Sequence, residues 1–479
     1  MSEEENSKIS VFDHKTLKDI IEEIQSIYLE YPQPWVIGYS GGKDSTAVLQ
    51  LVWLAIEKLP EQQRKKSVYV IASDTKVETP VIVDHLDNTL ERVNKVSEKE
   101  NMPFEAQKVM PSINDSFWVN LIGRGYPAPT SRFRWCTDRM KIKPANRFIE
   151  NKVTEHGEVI MLLGVREQES ATRQQLMRTY QVKDHVLRRH TSLPGAYVYA
   201  PISDWSVDDV WTFLFQVESP WGNDNRDLAA MYRDANAGEC PLVIDDSTPS
   251  CGNSRFGCWV CTVAEKDSSM QAMIDSGEDW MEPLLEIRNF LKETTDPEKK
   301  RAYRGIKGRD GRVFFKNDTE LAARTYTLET SKKILSDVLE AQKRINENEK
   351  APDADSTLIT KEELHEIRRL WKTERGDWDD SVPKIFNGIF DFEMDWPKDD
   401  DGYFDSKQKE ILKNHCKEHD VPFELLAKLL EAERQSIGVA RRAKIHKNIA
   451  SILGEEWRSE NEILQENSQQ NEVQEKVSE

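Results

Sequence analysis

No stretch of this chain approaches the ~20 consecutive apolar residues that a bilayer crossing requires. The opening residues, Met-Ser-Glu-Glu-Glu-Asn, are acidic and lack the basic-then-apolar order of a secretory signal. The expectation is a cytoplasmic protein with no membrane association. Cysteine is scarce, six in 479 residues, which excludes a disulfide-stapled scaffold. An excess of positive charge is missing as well. The 85 acidic residues outnumber the 66 basic ones, leaving a net charge of −19, so the surface as a whole cannot grip nucleic acid. Any polyanion contact must lie in local patches or be supplied by a partner. Internal repeats are also absent. What remains is a chain long enough for two or three domains, with 38% hydrophobic residues for a core and 32% charged residues for a wet surface.

Apolar positions at helical spacing run through residues 14–30, followed by a short buried strand at Trp35-Val36-Ile37-Gly38-Tyr39-Ser40. A helix follows over Asp44 to Leu59, then a strand over Ser67 to Ser73 and a helix from about Pro80 to Glu100. A further apolar run, Val159 to Val165, ends in Gly164-Val165-Arg166. Strands alternating with helices predict an α/β fold with a doubly wound parallel sheet. The predicted organisation is an α/β domain over 10–215, a cysteine-bearing region over 216–345, a helical C-terminal region over 357–458 and a disordered tail over 459–479. Thr360-Lys361-Glu362-Glu363 reads as a capping box that opens one of the C-terminal helices.

Between the first strand and the next helix lies Ser40-Gly41-Gly42-Lys43-Asp44-Ser45-Thr46. Two glycines allow a tight turn whose N–H groups approach an anion, and the helix start adds its positive end. Ser40, Ser45 and Thr46 supply hydroxyl donors, Lys43 a cation, and Asp44 a carboxylate suited to placing Mg²⁺. A plain glycine turn is the bland alternative, and the density of hydroxyls disfavours it. The loop is not a Walker A sequence: Gly38 stands one residue too close to Gly42-Lys43, and Asp follows the Lys. Arg166 and Arg173 suit bidentate contact with phosphate oxygens, while Asp74 and Thr75 end a strand where open α/β sheets bind ligands. A basic and aromatic stretch, Ser131 to Pro144, offers Arg132, Arg134, Arg139, Lys141 and Lys143 to substrate phosphates. Lone Cys136 within it reads as a small buried hydrophobe rather than a sulfur carrier. The basic runs from Lys299 to Arg312 and at Arg441-Arg442-Ala443-Lys444 read first as solvated faces.

Four cysteines fall within 22 residues, as Cys240, Cys251, Cys258 and Cys261. Four thiolates suit tetrahedral zinc or a 4Fe–4S cluster. A single Cys-x-x-Cys pair and uneven spacing, with prolines and glycines between, favour the larger cluster, with zinc as the alternative.

Ser40-Gly41-Gly42-Lys43-Asp44-Ser45 resembles the PP-loop of the adenine-nucleotide α-hydrolase superfamily. That resemblance implies cleavage of ATP between its α and β phosphates and transfer of AMP to a substrate oxygen. Ser73-Asp74-Thr75, the segment Gly164 to Arg173 and Pro201-Ile202-Ser203-Asp204-Trp205-Ser206 are similar to the phosphoadenosine phosphosulfate (PAPS) reductase branch. The chain departs from that branch in lacking both a reactive cysteine beyond Cys416 and any Cys-Cys pair. With its four-cysteine insert and helical C-terminal region, it resembles the DndC family of DNA phosphorothioation sulfurtransferases. The resemblance implies catalysis by Lys43, Asp44, Arg166 and Arg173. ATP would be bound by Ser40 to Thr46 with Asp74, Thr75 and Gly164, together with Mg²⁺. It implies DNA as substrate, a cysteine desulfurase as sulfur donor and other Dnd-system proteins as partners. A tRNA thiolase, a sulfonucleotide reductase and a nucleotide-binding regulatory subunit stay open as alternatives.

Overall fold

The computed structural model describes residues 10–167, 187–235, 257–317, 319–351, 357–397, 404–436 and 443–478. By contacts the chain forms two compact units, one of residues 1–112 with 131–277, the other of residues 113–130 with 278–479.

The first unit is built on a six-stranded sheet. Helix α1 (Leu17–Glu30) starts on a reciprocal Thr16–Asp19 capping box. Strand β1 (Trp35–Gly38) leads into α2 (Lys43–Glu57), and β2 (Val68–Ser73) into α3 (Pro80–Lys99). These agree with the sequence-based expectation to within a few residues. Strand β3 (Phe104–Val109) follows, then α4 (Lys143–His156), β4 (Val159–Leu162), β5 (Arg188–Arg189), β6 (Ala196–Tyr199), α5 (Val207–Gln216), α6 (Asn225–Ala235) and α7 (Ser268–Asp275). Strand order is β3-β2-β1-β4-β6-β5, parallel except for the short antiparallel β5.

Alternating residues of each strand feed two separate cores, which makes the sheet doubly wound. Trp35, Ile37, Val70, Ile160 and Leu162 pack with α1, α2 and α5 on one face. Val36, Ile71, Val159 and Met161 pack with Ala145 and Ile149 of α4 on the other. Helix α2 is buried almost all round, from Ala47 through Ile56. A helix apolar on every side can only sit inside a core. The chain proceeds outward from β1 to β3 and then returns to place β4 on the other side of β1. The sheet therefore reverses direction between β1 and β4, and crevices at such a point are where open α/β sheets bind ligands.

The second unit holds α8 (Glu282–Glu293), a small hairpin of β7 (Phe315–Asn317) and β8 (Glu320–Leu321), and α9 (Leu328–Asn346). It continues with α10 (Lys361–Glu374), α11 (Ser381–Ile389), α12 (Ser406–Glu418), α13 (Phe423–Arg434), α14 (Ala443–Leu453) and α15 (Glu460–Ser478). Thr360 and Glu363 form the capping box anticipated for α10. Residues 113–130 join this unit through buried Trp118, whose indole donates to the Leu358 carbonyl at 2.7 Å, and through the Ile122 carbonyl, which accepts from Trp371 at 3.0 Å. Ser459 and Glu462 cap α15 reciprocally, Arg301 pairs with Glu460, and Ile463 is buried. No helix among the described residues is long and apolar enough to cross a membrane.

Candidate functional site

The β1–α2 turn is held by its own hydroxyls. The Ser45 hydroxyl donates to the Gly42 carbonyl at 2.9 Å and accepts from the Ser40 N–H at 3.2 Å. The two serine hydroxyls lie 3.1 Å apart. Gly41 has φ +73°, a left-handed conformation that an L side chain rarely adopts. Gly42 caps α2 with no side-chain hydrogen bond from the cap residue. Thr46, in the first turn, is buried.

Asp44 is clamped between two cations. Lys43 Nζ lies 2.7 Å from one carboxylate oxygen, and Arg166 Nε, 122 residues away in the chain, lies 2.6 Å from the other. Arg166 is only 3% exposed, so the pair is desolvated and the geometry tightly set. Both carboxylate oxygens of Asp44 are thus tied to cations. Gly164, at the end of β4, makes this approach possible: a Cβ there would come within 2.8 Å of the Asp44 carbonyl carbon and 2.9 Å of the Ser45 nitrogen. Both sides of the switch point thus meet at the loop.

His85 of α3 was not foreseen. Its ring lies against Gly41, where an added Cβ would come within 3.3 Å of the imidazole, and its Nε2 is buried without a hydrogen-bond partner. Nothing in the sequence marks it, because only the fold brings α3 against the loop.

A second cluster forms where β2 ends. Burial alone would push the Asp74 carboxyl up, yet the Lys76 N–H and the ammonium groups of Lys76 and Lys108, both 3.3 Å away, hold it below the usual carboxylate range. The Thr75 N–H donates to Glu78 at 2.9 Å. The Thr75 hydroxyl lies 3.4 Å from Cys258 Sγ, and Glu78 bridges to Cys258 through the backbone. Desolvation raises the Glu78 carboxyl against the pull of nearby Lys141. Burial first, and Glu78 second, push the Cys258 thiol well above its usual pKa, with Lys141 opposing and Cys136 adding to the rise. Cys136, expected as a small buried hydrophobe, is half-buried.

The basic stretch folds as a helical turn at Trp135–Thr137, a π-helical turn at Asp138–Ile142, and then α4. Arg134 precedes it with Nε and one terminal nitrogen buried and lacking any hydrogen-bond partner. A buried guanidinium left so is costly unless an anion satisfies it. Arg132 and Lys143 are exposed, Lys143 lying 3.6 Å from Asp138, and Arg139 is half-buried. Arg173, Cys240 and Cys251 lie outside the described residues. Cys258 and Cys261 form a tight turn in which the Cys261 N–H donates to the Cys258 carbonyl at 2.9 Å. No group of three or more metal-ligating side chains occurs among the described residues. The donor chemistry still fits a thiophilic centre, since a bound cation would reverse the rise in the Cys258 pKa.

Residues 34–264 match the family model described as the phosphoadenosine phosphosulfate reductase domain. Residues 407–454 match a second model, described as a small protein found in certain Dnd DNA modification systems. An uncharacterized protein of Methanocaldococcus jannaschii is 26% identical over 198 residues, a match spanning 41% of this chain and 35% of that relative's length. Among solved structures, PAPS reductase from Candida auris is similar at 16% identity, covering 46% of this chain and 87% of the other, with a TM-score of 0.27. The U34-tRNA thiolase NcsA from Methanococcus maripaludis, with its 4Fe–4S cluster, is similar at 15% identity over 59% of this chain and 83% of the other, also with a TM-score of 0.27. The loop, the Gly164–Arg166 segment and the Cys258–Cys261 turn all lie within the span matched by the PAPS reductase domain model.

Proposed function

We propose that the chain is an ATP pyrophosphatase and sulfurtransferase that replaces a non-bridging oxygen of a DNA backbone phosphate with sulfur. The observation that carries the ATP half is the Lys43–Asp44–Arg166 anchor beneath an uncapped helix start at the switch point of the PAPS reductase domain. The Dnd-associated segment at 407–454 supports DNA as the substrate.

On this reading the loop from Ser40 to Thr46 holds the β and γ phosphates, and Mg²⁺ arrives on the nucleotide. Asp74 and Thr75 border the nucleotide site, and Arg166 and Arg173 answer the charge that develops on the leaving pyrophosphate. Arg134, with Arg132, Arg139, Lys141 and Lys143, takes the DNA phosphate. A non-bridging oxygen of that phosphate attacks the α phosphorus of ATP, the α–β bond breaks, and pyrophosphate leaves with the electron pair. A cysteine desulfurase partner supplies sulfur as a persulfide, a thiol reductant cleaves its S–S bond with two electrons to release sulfide, and that sulfide attacks the DNA phosphorus. AMP departs with the original oxygen. Cys258 and Cys261, with Cys240 and Cys251, would hold a 4Fe–4S cluster, with zinc as the alternative. Such a centre would supply a soft site for sulfur. Other Dnd-system proteins and a cytoplasmic setting belong to the same proposal.

The test is product analysis under anaerobic conditions with MgATP and DNA. AMP and pyrophosphate in equal amounts, with phosphorothioate dinucleotides recovered after nuclease digestion of DNA from an expressing host, are the expected result. ADP and inorganic phosphate would overturn the reading.

A further inference from the structure

The second unit contains a cavity of about 780 Å³ lined by six Lys or Arg and four Glu side chains, in a chain whose overall charge is strongly negative. A basic run, residues 299–312, feeds it. Within that run Lys299 pairs with Glu293, Arg301 with Glu460 and Arg312 with Asp310, while Arg304 donates to the Thr294 carbonyl. Lys307 and Arg309 differ: neither makes a salt bridge among the described residues. Each is presented by an aromatic ring. Lys307 Nζ lies 3.7 Å from the centre of the Trp457 ring, and Arg309 donates to the Tyr126 hydroxyl at 2.6 Å with its guanidinium 5.1 Å from that ring.

The loop bearing these two cations is fixed in place. The Gly308 N–H donates to the Arg312 carbonyl at 2.8 Å, and the Gly311 carbonyl accepts from the Glu456 N–H at 3.0 Å. Gly311 has φ +72°, and a Cβ there would overlap the Glu455 side chain. Glu455 is itself neutralised by Lys428 at 2.6 Å, and Glu431 by Arg434 at 2.7 Å. Glu374 and Glu424 also face the cavity and limit the negative charge it accepts. Burial pushes the Lys307 ammonium below its ordinary pKa, a cost that an incoming anion would relieve. Part of the lining, including Lys428, Asn448 and Ser451, comes from the segment matching the small Dnd-system protein.

We propose that this cavity is a second phosphate-binding site, taking the backbone of a single DNA strand with Lys307 and Arg309 as its contacts. Its volume exceeds what a lone phosphate ion fills, and a cation held on an aromatic face is suited to a phosphodiester. The inference rests on the DNA-directed reading above.

The test is binding of a fluorescent single-stranded oligodeoxynucleotide to the full chain without ATP, over a range of salt concentrations. Lys307→Gln with Arg309→Gln should weaken binding at least tenfold and reduce the log–log salt slope by about one to two. Arg309→Gln alone, at an exposed position, tests the site without risk to folding and should show a smaller change of the same sign. Unchanged affinity and slope in both variants overturn the proposal. So does displacement of the oligonucleotide by inorganic phosphate at equal concentration, which would assign the cavity to a free ion. Pyrophosphate release is measured separately. A chain that releases pyrophosphate in response to DNA, with variants that bind as tightly as the parent, refutes the cavity and leaves the reaction standing. Binding through the cavity without pyrophosphate release does the reverse.

Discussion

Gly164→Ala isolates the contact between the two halves of the switch point. The added methyl would stand 2.8 Å from the Asp44 carbonyl carbon, 2.9 Å from its oxygen and 2.9 Å from the Ser45 nitrogen. Ordinary carbon contacts begin near 3.5 Å, so about 0.7 Å of relief is required. All three neighbours are backbone atoms in the first turn of a helix buried along its length, so no flexible side chain can swing aside. Overpacking of this kind costs about 1–3 kcal/mol of stability. The strain falls on the segment that aims Lys43 and the helix N–H groups. A misplacement of about 1 Å typically costs about a hundredfold in rate, equivalent to about 2.7 kcal/mol of barrier. The assay is pyrophosphate release from MgATP with DNA, alongside ATP affinity by calorimetry and chemical denaturation. The expected result is a loss of tens- to a hundredfold in turnover with a fold that still melts cooperatively. Turnover and stability equal to the parent would refute the claim that the two segments touch.

Arg166→Met should destabilise the first unit by about 3 kcal/mol, at the low end for a broken buried pair because Lys43 still neutralises Asp44. Adding Asp44→Asn should recover part of that stability in denaturation without restoring pyrophosphate release; equal losses in the single and double variants would show no coupling. Cys258→Ser, purified anaerobically, should lose its bound metal and any visible absorbance, with metal analysis distinguishing iron from zinc; retention of full metal would remove Cys258 from the ligand set. Thr360→Ala should cost about 1 kcal/mol through loss of the α10 capping box, read by denaturation, with pyrophosphate release unaffected.

Elements with a strong local signature were legible before any coordinates. The strand at Trp35, the glycine turn, the buried helix after it and the Thr360 capping box all follow from neighbours within a few residues. Strands β3 and β6 were harder to see. The first places Glu105 and Gln107 on an edge strand, and the second is only four residues long, so neither carries a clear hydrophobic run.

The sequence by itself determined that a glycine-rich, hydroxyl-rich loop joins a strand to a helix, that Gly164-Val165-Arg166 ends an apolar run, and that four cysteines fall close together later in the chain. Only the tertiary structure decided which of these meet. Asp44 reaches Arg166 across 122 residues, and Thr75 reaches Cys258 across 183. It also drew Cys136 and His85 to the two halves of the site and gathered Lys307, Arg309 and Trp457 around a cavity in the second unit. Turn and cap preferences are set by the local backbone and can be read in a short window. Partnerships between distant side chains arise because burying one charge or thiol requires another group beside it, and the sheet order settles which group that is.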